Sequence, residues 1–249
     1  MATRIQIRQT TRSESALPGG RRVVLEFRAD GGDAVPAILL LPDAPRPAPG
    51  VLLLHGYSSR KEHMSDNVGR ALFRRGMASL AVDLPLHGDR GDPLQAQSAR
   101  NPLAMVRLWR TGLQEGRLAV RYLGARPEVD AERLGIAGYS LGSVLAVALA
   151  GDEPRLRAVV LAAGGDLPAG TPLAAVARAV VDPARSVRRL DGRPLLMVHG
   201  RDDRTIRPDQ AERLFAAARE PKELRWWNAG HILPADAIDY AAEWLAGKL

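Results

Sequence analysis

The chain has 249 residues, 46% of them hydrophobic and 25% charged, a balance that suits one globular domain with a substantial core. Cysteine is absent, which excludes a disulfide scaffold, a zinc–thiolate site and a cysteine nucleophile together. The net charge of +7 rests on 35 basic residues, all arginine except Lys61, Lys222 and Lys248, in runs no longer than pairs such as Arg21-Arg22; with 4% aromatic residues this describes a solvated surface, not a nucleic-acid face.

Residues 22–28 and 35–41 are β-rich runs separated by Asp30-Gly31-Gly32-Asp33, a hairpin signal. Prolines 42, 45, 47 and 49 then mark a surface loop. Val51-Leu52-Leu53-Leu54 is continuously apolar, as strands buried on both faces of a parallel sheet are. Met64, Val68, Ala71 and Leu72 have helical spacing within 62–75, and Gly76 stops that helix. Met77–Val82 reads as another buried strand. A helix is expected from Asn101-Pro102, its cap and first turn, to about Gly124. Strands follow at 134–138, Leu156–Ala162, Pro194–His199 and Glu223–Trp227, with helices at Leu141–Ala150, 208–219 and 235–247.

Strand and helix thus alternate from residue 50 onward, which argues for a parallel sheet covered on both faces behind an antiparallel start. Residues 164–192, with a weakly helical piece at Leu173–Val181, interrupt the alternation. They read as a short cap over the carboxyl edge of the sheet in a single domain spanning 1–249. No apolar run approaches the ~18 residues of a membrane span. The start lacks the apolar stretch and cleavage site of a secretory signal. A cytoplasmic monomer or homodimer with neither membrane nor nucleic-acid partners is the expectation.

Gly138-Tyr139-Ser140-Leu141-Gly142 falls directly after a predicted strand and directly before a predicted helix. As a bare pattern glycine-x-serine-x-glycine is weak, but in that setting it is the signature of a nucleophile elbow. A sharp turn lifts the Ser140 hydroxyl clear of the sheet, and the N–H of Leu141 becomes a donor to an oxyanion. A serine hydroxyl needs a positioned base. Of His55, His63, His87, His199 and His231, only His231 lies in the loop between the last strand and the final helix. The base needs an orienting carboxylate in turn. Asp202 and Asp203 both follow the strand at 194–199, and either can serve. A second oxyanion donor is expected in the loop after Leu54, where Gly56 allows close approach and Tyr57 offers its N–H. His55 reads as a hydrogen-bonded filler of that turn, and His87 as a loop anchor that can also line the pocket. No two histidines sit at metal-ligand spacing, so no metal site is expected.

Leu54-His55-Gly56-Tyr57-Ser58-Ser59-Arg60-Lys61-Glu62 and Asp83-Leu84-Pro85-Leu86-His87-Gly88-Asp89-Arg90, with the elbow, resemble the dienelactone-hydrolase and prolyl-oligopeptidase-like branch of the α/β hydrolases. Within it they look like the small single-domain bacterial carboxylesterases. The resemblance runs from the hairpin at 22–41 to His231. It implies the α/β-hydrolase fold, with helices on both faces of a mostly parallel twisted sheet, and the order Ser140, acid, His231 is that of this fold. It also implies a cofactor-free serine esterase acting on short-chain acyl esters. In that family the acid is the fourth residue after the histidine of a His-Gly-x-x-Asp motif, which here makes it Asp203 and leaves Asp202 to cap the turn. One departure is Ile206-Arg207-Pro208, where the family has valine-proline after the acid. Serine in place of cysteine argues against dienelactone hydrolysis itself, and the missing β-propeller argues against a peptidase. Peptidase, thioesterase and lactonase activities on the same three residues are the alternatives, with a non-catalytic ligand-binding protein from a different class. Arg60, Arg90, Arg201 and Arg204, in loops expected at the carboxyl edge, either select anionic acyl groups or are ordinary solvated arginines.

Overall fold

Alternate residues of a strand point to opposite faces, so a strand apolar at every position needs a core on both sides. Strand β4 (Ala48–Leu54) shows this: Leu52 and Leu54 enter one buried cluster, while Val51 and Leu53 enter a second. Strand β8 (Leu195–Gly200) divides in the same way, Leu195 and Met197 to the first cluster and Leu196 and Val198 to the second. The computed structural model that reveals this describes residues 6–93, 102–168 and 177–249.

The remaining strands are β1 (Ile7–Leu17), β2 (Gly20–Ala29), β3 (Val35–Pro42), β5 (Ala78–Val82), β6 (Val129–Tyr139), β7 (Leu156–Ala162) and β9 (Lys222–Trp227). Among the described residues they form one nine-stranded sheet in the order β1-β2-β3-β5-β4-β6-β7-β8-β9. From β5 to β9 all pairings are parallel, whereas β1, β2 and β3 join antiparallel. The expected hairpin is β2–β3, with Val24 opposite Ile38. Strand β1 was not foreseen. It is a polar edge strand, exposed almost throughout, held by its ladder to β2, and its charged and hydroxyl side chains blunt the edge.

On the first face lie α3 (Pro102–Gly124), α4 (Leu141–Asp152), the short α5 (Pro183–Val187) and α6 (Pro208–Ala217). On the second lie α1 (Lys61–Met64), a wide π-type turn at Ser65–Gly69, α2 (Arg70–Phe73) and α7 (Ala235–Ala246). The predicted helix over 62–75 is therefore real but interrupted by the wide turn, and Gly76, at φ +74°, ends it as expected. The cap expected at Asn101 and residues 169–176 of the expected 164–192 segment lie outside the described residues. The described remainder of that segment packs α5 against α4 and α6. Among the described residues no helix is long and apolar enough to cross a membrane.

Strand β4 has β5 on one side and β6 on the other, both parallel to it, so connections diverge at its carboxyl end. Open α/β sheets bind ligands at such a crevice.

Candidate active site

The turn from β6 into α4 is built by close backbone approach. A Cβ on Gly138 would stand 2.2 Å from the Gly142 carbonyl oxygen, and one on Gly142 would stand 2.1 Å from the Leu54 carbonyl oxygen. Only glycine fits either place, which is why both flank the serine. Ser140 itself adopts φ 51°, ψ −113°, a strained conformation for a residue with a side chain. Its N–H donates to Ala162 O at 2.9 Å, and its carbonyl accepts from the N–H of Ser143 at 2.9 Å and the hydroxyl of Ser143 at 2.6 Å. The N–H of Leu141, first in α4, has no partner inside the helix.

Three predicted side chains meet above this turn. His231 Nε2 lies 3.0 Å from Ser140 Oγ, and His231 Nδ1 lies 2.8 Å from Asp203 Oδ2. With Nδ1 donating to the carboxylate, Nε2 is the lone pair that faces the hydroxyl. Asp203 is buried, and its Oδ1 accepts from the N–H groups of Thr205 at 2.8 Å and Ile206 at 3.0 Å. The carboxylate therefore holds the imidazole with one oxygen and caps its own turn with the other. The cap expected of Asp202 falls to Asp203, because Asp202 points into solvent. The unusual Ile206-Arg207-Pro208 spelling leaves this register intact, since Ile206 supplies one of the two N–H groups.

The loop after β8 is joined to the loop after β9 by Arg201 N–H to Trp227 O at 2.9 Å and Asp202 N–H to Ala229 O at 3.0 Å. Gly56 lies against the elbow: a Cβ there would sit 3.3 Å from Ser140 Cβ, so Tyr57 follows directly beside the hydroxyl.

The other histidines divide by burial. His55 is fully buried, bonded from Nδ1 to Gly56 O at 2.7 Å and accepting at Nε2 from Leu84 N–H at 3.0 Å. Burial pushes its pKa down to about 4, so it is the neutral turn filler the sequence suggested. His87 donates to Pro85 O at 2.8 Å and His199 to Ile206 O at 2.9 Å, and burial lowers both pKa values as well. His87 anchors its loop and does not line the cavity beside Ser140.

Sequence reasoning missed two supporting devices. Lys61 is buried with its Nζ 2.8 Å from Asp83 Oδ2 and 2.9 Å from Asp89 Oδ2, and its own N–H donates to Asp83 Oδ1 at 2.8 Å. Burial would lower the pKa of this ammonium, but its bonds to Asp83 and Asp89 outweigh that and hold it above the usual range. The ion pair ties the loop carrying Tyr57 to the loop after β5. Tyr139 is the second device: its hydroxyl donates to His231 O and accepts from Leu233 N–H at 3.2 Å, fixing the backbone on both sides of Ile232. Both pairs lie inside motifs already noted, but nothing local signals their partners.

A cavity of about 460 Å³ opens at Ser140 and His231 and runs down the second face of the sheet, between the wide turn at Ser65–Gly69 and α7. Among the described residues that line it none is Asp, Glu, Lys or Arg. The four loop arginines are accordingly elsewhere: Arg90 forms a two-pronged pair with Glu115, and Arg60, Arg201 and Arg204 are exposed.

The chain is 36% identical over 105 residues to a carboxymethylenebutenolidase of Rhodococcus opacus, covering 41% of this chain and 39% of that protein. It is 29% identical over 116 residues to a polyketide transferase of Stachybotrys chlorohalonatus, covering 46% of this chain and 36% of that one. The match thus spans little more than a third of either relative's length. The fold superposes on that of acetyl xylan esterase 1 from Thermoanaerobacterium with a TM-score of 0.80 at 19% identity, covering 99% of this chain and 89% of the other. The model of the dienelactone hydrolase family matches residues 35–242, and the chain, with its α/β-hydrolase fold, belongs to that family.

Proposed function

We propose that the protein is a serine hydrolase of carboxylic esters, working through an acyl-enzyme on Ser140. The observation that carries this reading is the unbroken line from Asp203 Oδ2 through His231 to Ser140 Oγ, at 2.8 and 3.0 Å, at the mouth of an uncharged cavity. His231 Nε2 takes the hydroxyl proton as Oγ bonds to the ester carbonyl carbon. The carbonyl π electrons move to oxygen, and the N–H groups of Leu141 and Tyr57 receive that oxyanion. Collapse breaks the carbon–oxygen bond to the alcohol, which departs with the proton returned by His231. Water then repeats the sequence on the acyl-enzyme and releases the acid. Asp203 keeps the imidazole in the tautomer that leaves Nε2 free to accept and stabilises the imidazolium. Each oxyanion donor contributes about 3–4 kcal/mol to the transition state.

Lactones and thioesters present the same electrophilic carbonyl to the same three groups. The esterase reading stands ahead because the uncharged cavity suits a neutral acyl ester and the resemblance is to carboxylesterases. A fluorophosphonate probe tests it. Wild-type protein should be labelled at Ser140, Ser140→Ala should not, and turnover of a p-nitrophenyl ester should fall about a million-fold in that variant. Labelling elsewhere, or undiminished turnover in Ser140→Ala, removes the proposal.

A further inference from the structure

The mechanism uses His231 and leaves a second imidazole, buried beside the same carboxylate, without a task. His199 has a side chain only 1% exposed, and its Nε2 lies 3.6 Å from Asp203 Oδ2, the oxygen that receives His231. At that distance the two do not hydrogen-bond. The bond that Nε2 makes is to Ile206 O, at 2.9 Å. A carbonyl only accepts, so the proton sits on Nε2. Nδ1 is buried and has no hydrogen-bond partner among the described residues, so a second proton there would make a charged donor without an acceptor. The contacts thus select a neutral ring in one tautomer, and burial lowers its pKa in the same sense. Asp203 and His231 are the titratable groups that act on the ring. Trp226, opposite His199 in the β8–β9 register, packs edge-to-face on it with centroids 5.4 Å apart.

What the ring holds is the turn that aims the acid. Ile206 has both backbone polar groups committed: its N–H donates to Asp203 Oδ1 at 3.0 Å, and its carbonyl accepts from His199. Thr205 N–H donates to the same Oδ1 at 2.8 Å, and Asp203 N–H donates to Gly200 O at 3.3 Å. Residues 199–206 are therefore a closed loop whose two ends are joined by one side chain. The frame beneath it is tight: a Cβ on Gly200 would stand 2.2 Å from Gly230 O, so the end of β8 also abuts the backbone just before His231. A free carboxylate can turn about two bonds. Here Oδ1 is fixed by two N–H groups, one of them on Ile206, and Oδ2 is left directed at His231 Nδ1.

We propose that His199 is a positioning residue for the acid, locking the Ile206 carbonyl so that Asp203 keeps Oδ2 aimed at His231 Nδ1. This rests on the serine-hydrolase reading above. The orientation matters most in the transition state, when His231 carries the proton and Asp203 stabilises the imidazolium. The loss on removing it should therefore fall on kcat and not on KM. The same N–H has a second effect. Its positive end lies beside Oδ2 in a buried, poorly screened place, where it draws on the charge that stabilises the imidazolium. Taking it away leaves that charge to His231 alone, so the acid limb of the kcat/KM profile should move upward in pH.

The test compares His199→Phe, which keeps a flat ring without the N–H, with His199→Gln, whose side-chain amide reaches the same carbonyl. On p-nitrophenyl acetate the phenylalanine variant should lose about thirtyfold in kcat with KM within about twofold, and its acid limb should rise by roughly half a pH unit. The glutamine variant should recover to within about threefold of wild type. Should neither variant fold, nitrogen-15 spectra of the histidines in the wild-type protein decide: at pH 7 His199 should be neutral with its proton on Nε2. The opposite tautomer, or a doubly protonated ring, overturns the proposal. So does a phenylalanine variant with unchanged kcat, or equal losses in both variants that follow the loss of stability in urea and leave the acid limb in place. In each of those cases fluorophosphonate still labels Ser140 of the wild type, and the hydrolase reading stands. Absence of labelling and of hydrolysis in the wild type overturns both.

Discussion

On the first face of the sheet α4 is buried without a break from Gly142 to Ala150, whereas on the second face a cavity of about 460 Å³ opens at Ser140 and His231, beside α7 and the wide turn. Both faces are apolar, and both belong to the same strands. The difference lies in side-chain volume. Leu145, Val147 and Leu149 of α4 interlock with the first face and fix the elbow that carries Ser140, so the serine is held from its solid side. His231 and Leu233 belong to the hollow side, where the histidine loop closes over the cavity and needs separate restraints. A rigid serine and a tethered histidine are two different engineering problems in one site, and perturbing each should give a different signature.

The largest effect should come from the histidine's tether. Asp203→Asn removes the acceptor that sets the His231 tautomer, and kcat should drop about ten-thousand-fold with the fold intact. Asp202→Asn, one residue away but exposed, should stay within about twofold. If Asp202→Asn is the crippled enzyme, the acid has been misassigned despite the 2.8 Å contact.

Acid should strike the scaffold common to both faces. His55 is buried with a pKa near 4, while an unfolded histidine titrates near 6.5, so between those values the unfolded chain binds the extra proton. The neutral ring's contribution is therefore complete above about pH 6.5 and is lost as pH falls toward 4, up to about 3 kcal/mol from this group. His87 and His199, shifted the same way by burial, steepen the loss. Urea titrations from pH 7.5 to 4.5 should show falling midpoints, with a shallower slope in His55→Gln. Stability that is flat or rises toward acid would contradict the burial of these rings.

How much of this was legible in the sequence follows from the range of the interactions. The elbow, His231 and the choice of parallel sheet were readable because spacing along the chain determines them: apolar runs, glycines flanking a serine, a histidine between the last strand and the last helix. Asp203 over Asp202 came from family resemblance, since two adjacent carboxylates look alike until one is seen to accept from Thr205 and Ile206. Strand β1 was hidden because neither of its faces is buried, so no alternation marks it. The Lys61–Asp83 pair and the Tyr139 bonds span 22 and more than 90 residues. The cavity itself was invisible, because its walls come from the loop after β4, the wide turn, the elbow, the His231 loop and α7, which become neighbours only in the fold.

The contrast in packing has its own test in two equal additions of volume. Ala146→Leu forces a larger side chain into the filled layer of α4 and should cost about 1–3 kcal/mol. Ala241→Leu makes the same change at a residue on the cavity wall, and should alter stability by less than about 1 kcal/mol. Urea unfolding at neutral pH measures both. Equal losses would mean that the second face is as full as the first.

A smaller loss of activity than that of Asp203→Asn should come from Tyr139→Phe. The ring stays, so its edge-to-face contact with His231 at 5.9 Å and its packing on the hollow side are retained. Only the hydroxyl is lost, and with it the bonds to His231 O and Leu233 N–H. Two partly buried backbone groups then rely on water, at about 1 kcal/mol in total, and for a chain of this size that lowers Tm by roughly 2–4 °C. Because the histidine loop loses position more than the protein loses fold, kcat should fall further than that stability change suggests, about tenfold, with KM nearly constant. A matching Tm loss without any change in kcat would show that Asp203 alone positions the imidazole, and that the hollow side needs no second restraint.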